Sequence, residues 1–383
     1  MKKFAAKLLE IFKKGDMILL ALCVVASIFG LVMIYAATYL EGNTRMMVIQ
    51  SGSLVAGVLI YLAMTALDID ILAGQRTILF LFNAVFIAML LVWGVEGSTG
   101  NRSWLHFPFL PFNIQPAEVC KLTYIIILAK TMSVHRNHVS SLRCVPALTG
   151  NMLFIVAEIV VISKDMGVAL IFVFIFLVMA YAGGVSGWWF LGGAGAFAAA
   201  SPYLWKHVLR TDQKNRILAL IDPTIDPTGE GVLWQTNKNL EALRNGGLSG
   251  QGLFHGDLTN SAALPARHTD SIFCSIGEQL GLIGCMAVLL LLLAIVARCI
   301  YVGIKSPDYM NRLICLGVAS MFLFQILINI GVCLGLFPVI GLALPFFRYG
   351  GSSLITSFLA AGIVSGIRMR PAPDISAHYI RPY

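Results

Sequence analysis

The sequence predicts an all-α polytopic membrane protein with about ten transmembrane helices and one large extracytoplasmic loop. Three observations predict it. Of 383 residues, 58% are hydrophobic and 12% charged, and the mean hydropathy is +0.83, far from the composition of a soluble domain. The apolar residues fall in continuous runs near 17–38, 47–67, 77–93, 115–133, 145–162, 166–182, 187–205, 275–301, 312–337 and 351–368. Runs of about 18 or more residues cross hydrocarbon as helices, whereas a barrel needs short alternating strands. Positive charge is also sorted. With the N terminus inside, the inner segments hold fourteen Lys and Arg, and the short outer loops only Arg45, Arg102, Lys164 and Arg348. That bias puts both termini in the cytoplasm.

The net charge of +8 therefore reports membrane topology, and no nucleic-acid partner is expected. Eight cysteines without a C-x-x-C pair predict neither a disulfide framework nor a zinc site.

Residues 1–16 read as a cytoplasmic interfacial helix. Phe4, Leu8 and Ile11 share a face and lysines fill the rest, which suits an anionic inner leaflet. Residues 17–205 carry transmembrane helices one to seven. The outer loop 94–114 is rich in Gly, Pro and aromatics, with Trp104, Phe107, Phe109 and Phe112 placed to dip into the interface. Arg102 is its strong cation, either meeting lipid headgroups or facing a site.

Gln115-Pro116-Ala117-Glu118-x-x-Lys121 opens the fourth span. Pro116 suits a first helical turn, and Glu118 and Lys121 share a face at i, i+3. Each unpaired charge at mid-bilayer costs about 2.5–3.5 kcal/mol or more. The two should therefore pair and face a bundle interior or a watery cavity. Glu158 lies inside span five. Asp165, in the tight turn Ser163-Lys164-Asp165-Met166-Gly167, reads first as the cap of span six and second as a site residue.

Residues 206–274 form the large extracytoplasmic loop, with seven basic residues against seven acidic ones. Asp222-Pro-Thr-Ile-Asp226-Pro-Thr-Gly229 is turn chemistry. Trp234–Leu243 reads as a surface amphipathic helix. Asn245–Gly252 is a glycine loop, with no Lys-Ser/Thr after it to make a phosphate loop. A loop this long between spans is usually functional. It ends in Leu264–Leu282, LPARHTDSIFCSIGEQLGL, where His268, Thr269 and Asp270 stand one turn before apolar helix begins. A carboxylate where water meets hydrocarbon needs a task or a partner; capping the helix by Thr269 or Asp270 is the competing reading. Residues 275–368 carry helices eight to ten, interrupted by the Pro- and Gly-broken outer loop from Phe337 to Ser353. Such backbone is tolerated at membrane depth only when buried in protein or lining a cavity. Residues 369–383 are a cytoplasmic tail.

Taken together these landmarks resemble the SEDS family (shape, elongation, division and sporulation): RodA, FtsW and their sporulation relatives. The residues that carry the resemblance are Gln115-Pro-Ala-Glu118-x-x-Lys121, Asp222-Pro-x-x-Asp226-Pro-x-Gly229, Gly246-Gly-Leu-x-Gly-x-Gly252, Leu264-Pro-x-x-His-Thr-Asp270 with Gly277-Glu278-x-Leu-Gly281, and Gly335-Leu-x-Pro-Val-x-Gly-x-x-Leu-Pro345 with Tyr349-Gly-Gly-Ser-Ser353. They recur in family order, and the Pro-Ala-Arg-His-Thr-Asp spelling leans to the RodA branch. The chain departs from the family pattern at Ala117, Lys164, Met166, Ser271 and Arg348, the last standing where Ser is usual.

The resemblance implies a bacterial peptidoglycan glycosyltransferase in the inner membrane. It would act on lipid II (undecaprenyl-pyrophosphate-linked disaccharide peptide) during elongation or division, with a class B penicillin-binding protein as partner. It implies Asp270 as the catalytic aspartate, and Glu118 and Lys121 in a transmembrane cavity. The chemistry needs a base for an acceptor hydroxyl and cations or dipoles for a departing diphosphate. Asp270 is the expected general base. Arg102, Lys121, Arg216 and His268 are the expected phosphate or sugar contacts, with Asp165 beside them. No second loop carboxylate has comparable support, which favours inversion over a covalent double displacement. No ligand spacing specifies a metal; a divalent ion, magnesium or manganese, on Asp270 and the diphosphate is the one cofactor left open. Two rival readings stand: a lipid II flippase using Glu118, Lys121 and Glu158 as a path, and a non-catalytic scaffold for a penicillin-binding protein.

Overall fold

The computed structural model describes residues 11–42, 44–96, 101–108 and 112–370. The expected interfacial helix therefore lies largely outside the described residues, with only 11–14 seen as helix. Most of the tail and Phe109 also fall outside them. The long helices in chain order are α1 (Met17–Thr38), α2 (Thr44–Ala66), α3 (Arg76–Ala88), α4 (Pro116–Val134), α5 (Cys144–Glu158), α6 (Met166–Ala182), α7 (Gly187–Tyr203), α8 (Thr211–Leu218), α9 (Trp234–Gly246), α10 (Ile272–Lys305), α11 (Tyr309–Cys333) and α12 (Gly351–Met369). Strand among the described residues is confined to a short antiparallel pair, β1 (Gly94–Val95) and β2 (Trp104–Leu105). The chain is thus an all-α, multi-pass membrane protein. Among the described residues, seven helices are long and apolar enough to cross a bilayer. The other three expected spans are helical as well, as α4, α6 and α7. α4 is the most charged of these, with Glu118, Lys121 and Lys130.

Local chemistry sets the helix starts. Asp16 caps α1 by accepting from the Leu19 amide at 3.0 Å, Pro116 sits in the first turn of α4, and Asp308 caps α11 through the Asn311 amide at 2.9 Å. The most buried helices are α12 and α4, with α11 next; α11 packs on α4, α6 and α10, and α12 on α2. α7 has no buried residue.

Asp16 is fully buried and pairs with Arg298 on α10 and Arg368 on α12, each at 2.9 Å. Its amide also donates to the Ser365 hydroxyl oxygen at 2.9 Å. Two of the basic residues that signalled the inner face thus also lock α1 to α10 and α12. Burying such a carboxylate is tolerable only because both partners are in place.

α10 is broken at Gly281, where φ is +65°. The glycine loop fills the break. The Gly250, Gln251 and Gly252 amides meet the carbonyls of Gly246, Glu278 and Gln279, while the Leu282 amide donates to Gly247 O at 2.9 Å. Three of the backbone N–H groups considered for a phosphate are therefore spent within the fold, those of Gln251 and Gly252 on α10 and that of Gly250 on the end of α9. α9 packs against α10, with Thr236, Asn239, Ala242 and Gly246 buried. It is a packed layer of the large loop rather than a free surface helix.

Candidate functional site

Asp270 lies two residues before α10. Capping does not explain it. Ser271 occupies the cap position and makes no side-chain cap bond. The Asp270 backbone is instead held from beneath: its carbonyl accepts from Asn329 Nδ2 at 2.9 Å, and the same amide reaches Leu342 O at 2.8 Å. The carboxylate keeps about a quarter of its surface exposed, and Arg348 Nε stands 3.6 Å from Oδ1. Gly341, whose φ of +69° favours glycine, lies beside the carboxylate, where an added Cβ would be in ordinary contact 3.7 Å from Oδ2.

His268 is on the same segment. Its carbonyl accepts from the Tyr349 amide at 2.9 Å, and its ring meets the Tyr349 ring edge-on at 5.9 Å. The loop before α10 and the loop before α12 are therefore stitched together at the acid. Arg267 extends the stitching to the first helix by donating from Nε to Ala37 O at 2.8 Å.

Asp165 caps α6 as expected, accepting from the Val168 amide at 3.1 Å. It is also part of the same electrostatic neighbourhood, within range of both Arg348 and Asp270. Burial pushes its carboxyl above the usual range, while the Val168 amide, the Ser103 hydroxyl and the Arg348 cation pull the other way. Ser103 donates to Asp165 Oδ2 at 3.0 Å and shares a 2.7 Å bond with Ser163. Trp104, next along, presents its ring to the Arg348 guanidinium at 5.6 Å. The cap reading of Asp165 holds.

The other expected residues fall in three places. Lys121 and Glu118 form a 2.8 Å ion pair, with side chains 0% and 9% exposed. Arg102 pairs with Glu96 at 3.3 Å and donates its amide to Ser163 O at 3.0 Å. Arg216 on α8 donates to Val339 O at 2.7 Å, bracing the loop between α11 and α12 that reaches Asp270. The signal for Arg348 was in the sequence as one of the few cations breaking the inner bias. Glu278 was named only within a motif. Its buried carboxylate accepts from the Leu258 amide at 2.8 Å and from the Thr259 amide and hydroxyl at 2.9 and 2.6 Å. Nothing in the linear spacing announces Asn329. Among the described residues, no three His, Cys, Asp or Glu converge to hold a metal ion.

The family of cell cycle proteins FtsW, RodA and SpoVE matches residues 16–371. The chain is 31% identical over 97% of its length to a probable peptidoglycan glycosyltransferase FtsW of Geobacter metallireducens, covering 99% of that protein. It is 28% identical to the peptidoglycan glycosyltransferase MrdB of Escherichia coli K12, over 92% of this chain and 91% of that one. A solved chain from a peptidoglycan synthase complex that coordinates polymerization and crosslinking superposes with a TM-score of 0.77 at 28% identity, covering 92% of this chain and 97% of that one. The crystal structure of the Thermus thermophilus rod shape determining protein RodA gives 0.67 at 26% identity, over 92% and 96%.

Proposed function

We propose that this chain, which belongs to the FtsW, RodA and SpoVE family and is a peptidoglycan glycosyltransferase, polymerises lipid II with Asp270 as general base. The observation that carries the base assignment is the partly exposed, non-capping carboxylate of Asp270, held by its backbone at the meeting of two outer loops. The acceptor hydroxyl gives its proton to Asp270 as its oxygen bonds the donor's anomeric carbon. The bond to the diphosphate breaks, and the polyprenyl diphosphate leaves with the electron pair. Asp165, the other carboxylate in range, is buried and capping α6, and a single exposed carboxylate beside a cation fits one inverting displacement.

Lys121, Arg102, Arg216 and His268 are the groups proposed to steady substrate, with Glu118 and Asp165 setting the charge around them. Lys121 is buried and neutralised by Glu118, so it meets substrate only as one half of that pair. Arg216, at the braced outer loop, is better placed for a phosphate. The polyprenyl tail stays in a groove open to lipid, because moving it out of hydrocarbon is unfavourable. The outer loop and Asp270 face outside the bacterial inner membrane, with both termini inside, by the sorting of basic residues. A class B penicillin-binding protein is the proposed partner, supported by the similarity to a chain from a peptidoglycan synthase complex.

Asp270→Asn keeps the shape and removes the base. Polymer formed by purified protein from labelled lipid II should fall about 10²–10⁴-fold with the thermal unfolding midpoint unchanged. Near-normal polymer from that variant would overturn the assignment. The same assay with wild-type protein in detergent tests the rivals, since a flippase or a scaffold forms no polymer.

A further inference from the structure

Arg348 stands against Asp270, yet the two do not bond. Nε lies 3.6 Å from Oδ1, beyond hydrogen-bond reach. Both atoms are buried, and neither has a hydrogen-bond partner. A guanidinium and a carboxylate free to close on each other form a short fork. Here the stems are fixed. The Arg348 amide donates to Leu344 O at 3.2 Å. Its carbonyl accepts from Gln50 Nε2 at 3.2 Å, and Gln50 Oε1 takes the Gly350 amide at 3.1 Å. Gln50 is itself buried on α2. The guanidinium rests on Trp104, and the Asp270 carbonyl is pinned by Asn329.

The result is one unfilled N–H donor beside one unfilled carboxylate acceptor. An anion cannot fill both, because it would face the carboxylate; an amine or ammonium cannot, because it would face the N–H. A hydroxyl can, by donating its proton to Oδ1 and accepting from Nε on its own oxygen. We propose that Arg348 and Asp270 together form the seat of the acceptor sugar hydroxyl, with Arg348 as the residue that positions it for attack. The proposal rests on Asp270 being the base. Arg348 fixes the oxygen's direction of approach, which is worth much of a bimolecular barrier, and Asp270 takes the proton.

Arg348 has a second effect in the same place. The titratable and charged groups in reach of Asp270 are Arg348 from the loop before α12, Asp165 from the cap of α6, and Cys333 from α11, whose Sγ meets the Asp270 carbonyl; His268 and Tyr349, in contact with each other, flank Asp270 and Arg348 along the chain. Asp165 and Asp270 repel, and Arg348 is the cation that answers both. Without it, the Asp165 carboxyl, which Arg348 helps keep ionised, holds its proton to higher pH. The negative charge beside the seat is then lost at a pH where the wild-type enzyme still has it.

The test uses full-length Arg348→Ser and Arg348→Lys, lipid II, and a lipid II analogue whose acceptor hydroxyl is capped, which serves only as donor. Arg348→Ser is expected to lower kcat/KM for lipid II at least about tenfold, the usual worth of a bond to a charged group. The acid limb of its pH–rate profile should move to higher pH, while inhibition by the capped donor stays unchanged. Arg348→Lys restores the charge but not the Nε position, so its acid limb should return to that of wild type while kcat/KM stays low. Equal weakening of the capped donor would make Arg348 a diphosphate contact and overturn the seat. So would unchanged lipid II kinetics, or a loss in both variants with no movement of the pH limb, which is what a merely structural role gives. An active Asp270→Asn enzyme sinks the base and the seat together; an inactive one with an ordinary Arg348→Ser enzyme sinks the seat alone.

Discussion

Lys121 has no exposed surface at all, and its only described salt bridge is to Glu118, one turn earlier on the same helix. The i, i+3 spacing alone makes this pair legible, since two charges inside an apolar helix must find each other. What spacing does not tell is whether the pair holds the fold or serves the reaction. A double-mutant cycle separates these. Glu118→Gln or Lys121→Met alone strands a buried charge, and each should cost about 3–5 kcal/mol in unfolding free energy. The double variant removes both charges, so its thermal stability in detergent should return close to wild type. Polymerisation of lipid II should not return if the pair faces substrate. Recovery of activity along with stability would reduce the pair to structure. Arg348 teaches the opposite lesson. Its charge is visible in the sequence, but its partner lies far away in the chain, and only the folded loops bring it to Asp270.

At the scale of elements, the glycine loop 245–252 and the break at Gly281 make one device. Both stretches belong to the motifs that carry the family resemblance, and the glycines suggest mobility or a phosphate. The fold uses them for close approach instead. A Cβ on Gly281 would collide with Gly250 N and Leu248 O, and one on Gly246 with Gly277 O. This backbone-to-backbone joint leaves α10's first two turns free to follow the outer loop while the rest of the helix runs through the bundle. Asp270 is carried by the first part. Gly281→Ala combines a positive φ, worth about 1–2 kcal/mol against a residue with a Cβ, with those collisions. It should lower the unfolding midpoint clearly and reduce polymer formation. Gly195→Ala in α7, where nothing lies within 4 Å of the added carbon, is the control and should be neutral or slightly stabilising. Equal effects of the two substitutions would mean the joint is not rigid. No pattern of hydropathy marks such a joint, because it is made of main-chain contacts between segments some thirty residues apart.

For the whole molecule, the number of apolar runs and the sorting of Lys and Arg are enough to read an all-α membrane fold, because both follow from the cost of polar groups in hydrocarbon. The burial of Asp16 between Arg298 and Arg368 is not readable that way, because it joins the chain's beginning to two helices near its end. That cluster and Asp270 lie at opposite ends of α10, and the proposed orientation sets the acid outside and the cluster inside. All eight cysteines are buried, so the native chain should react little with a bulky, charged maleimide. A cysteine placed at an exposed position then reports its own side of the membrane. Ile221, 82% exposed in the large loop, and Leu142, 81% exposed between α4 and α5, are suitable. Ile221→Cys should be labelled in intact spheroplasts by a membrane-impermeant maleimide, and Leu142→Cys only after the membrane is opened. The reverse pattern would place Asp270 in the cytoplasm, on the wrong side for building a wall, and the proposed orientation would fall with it.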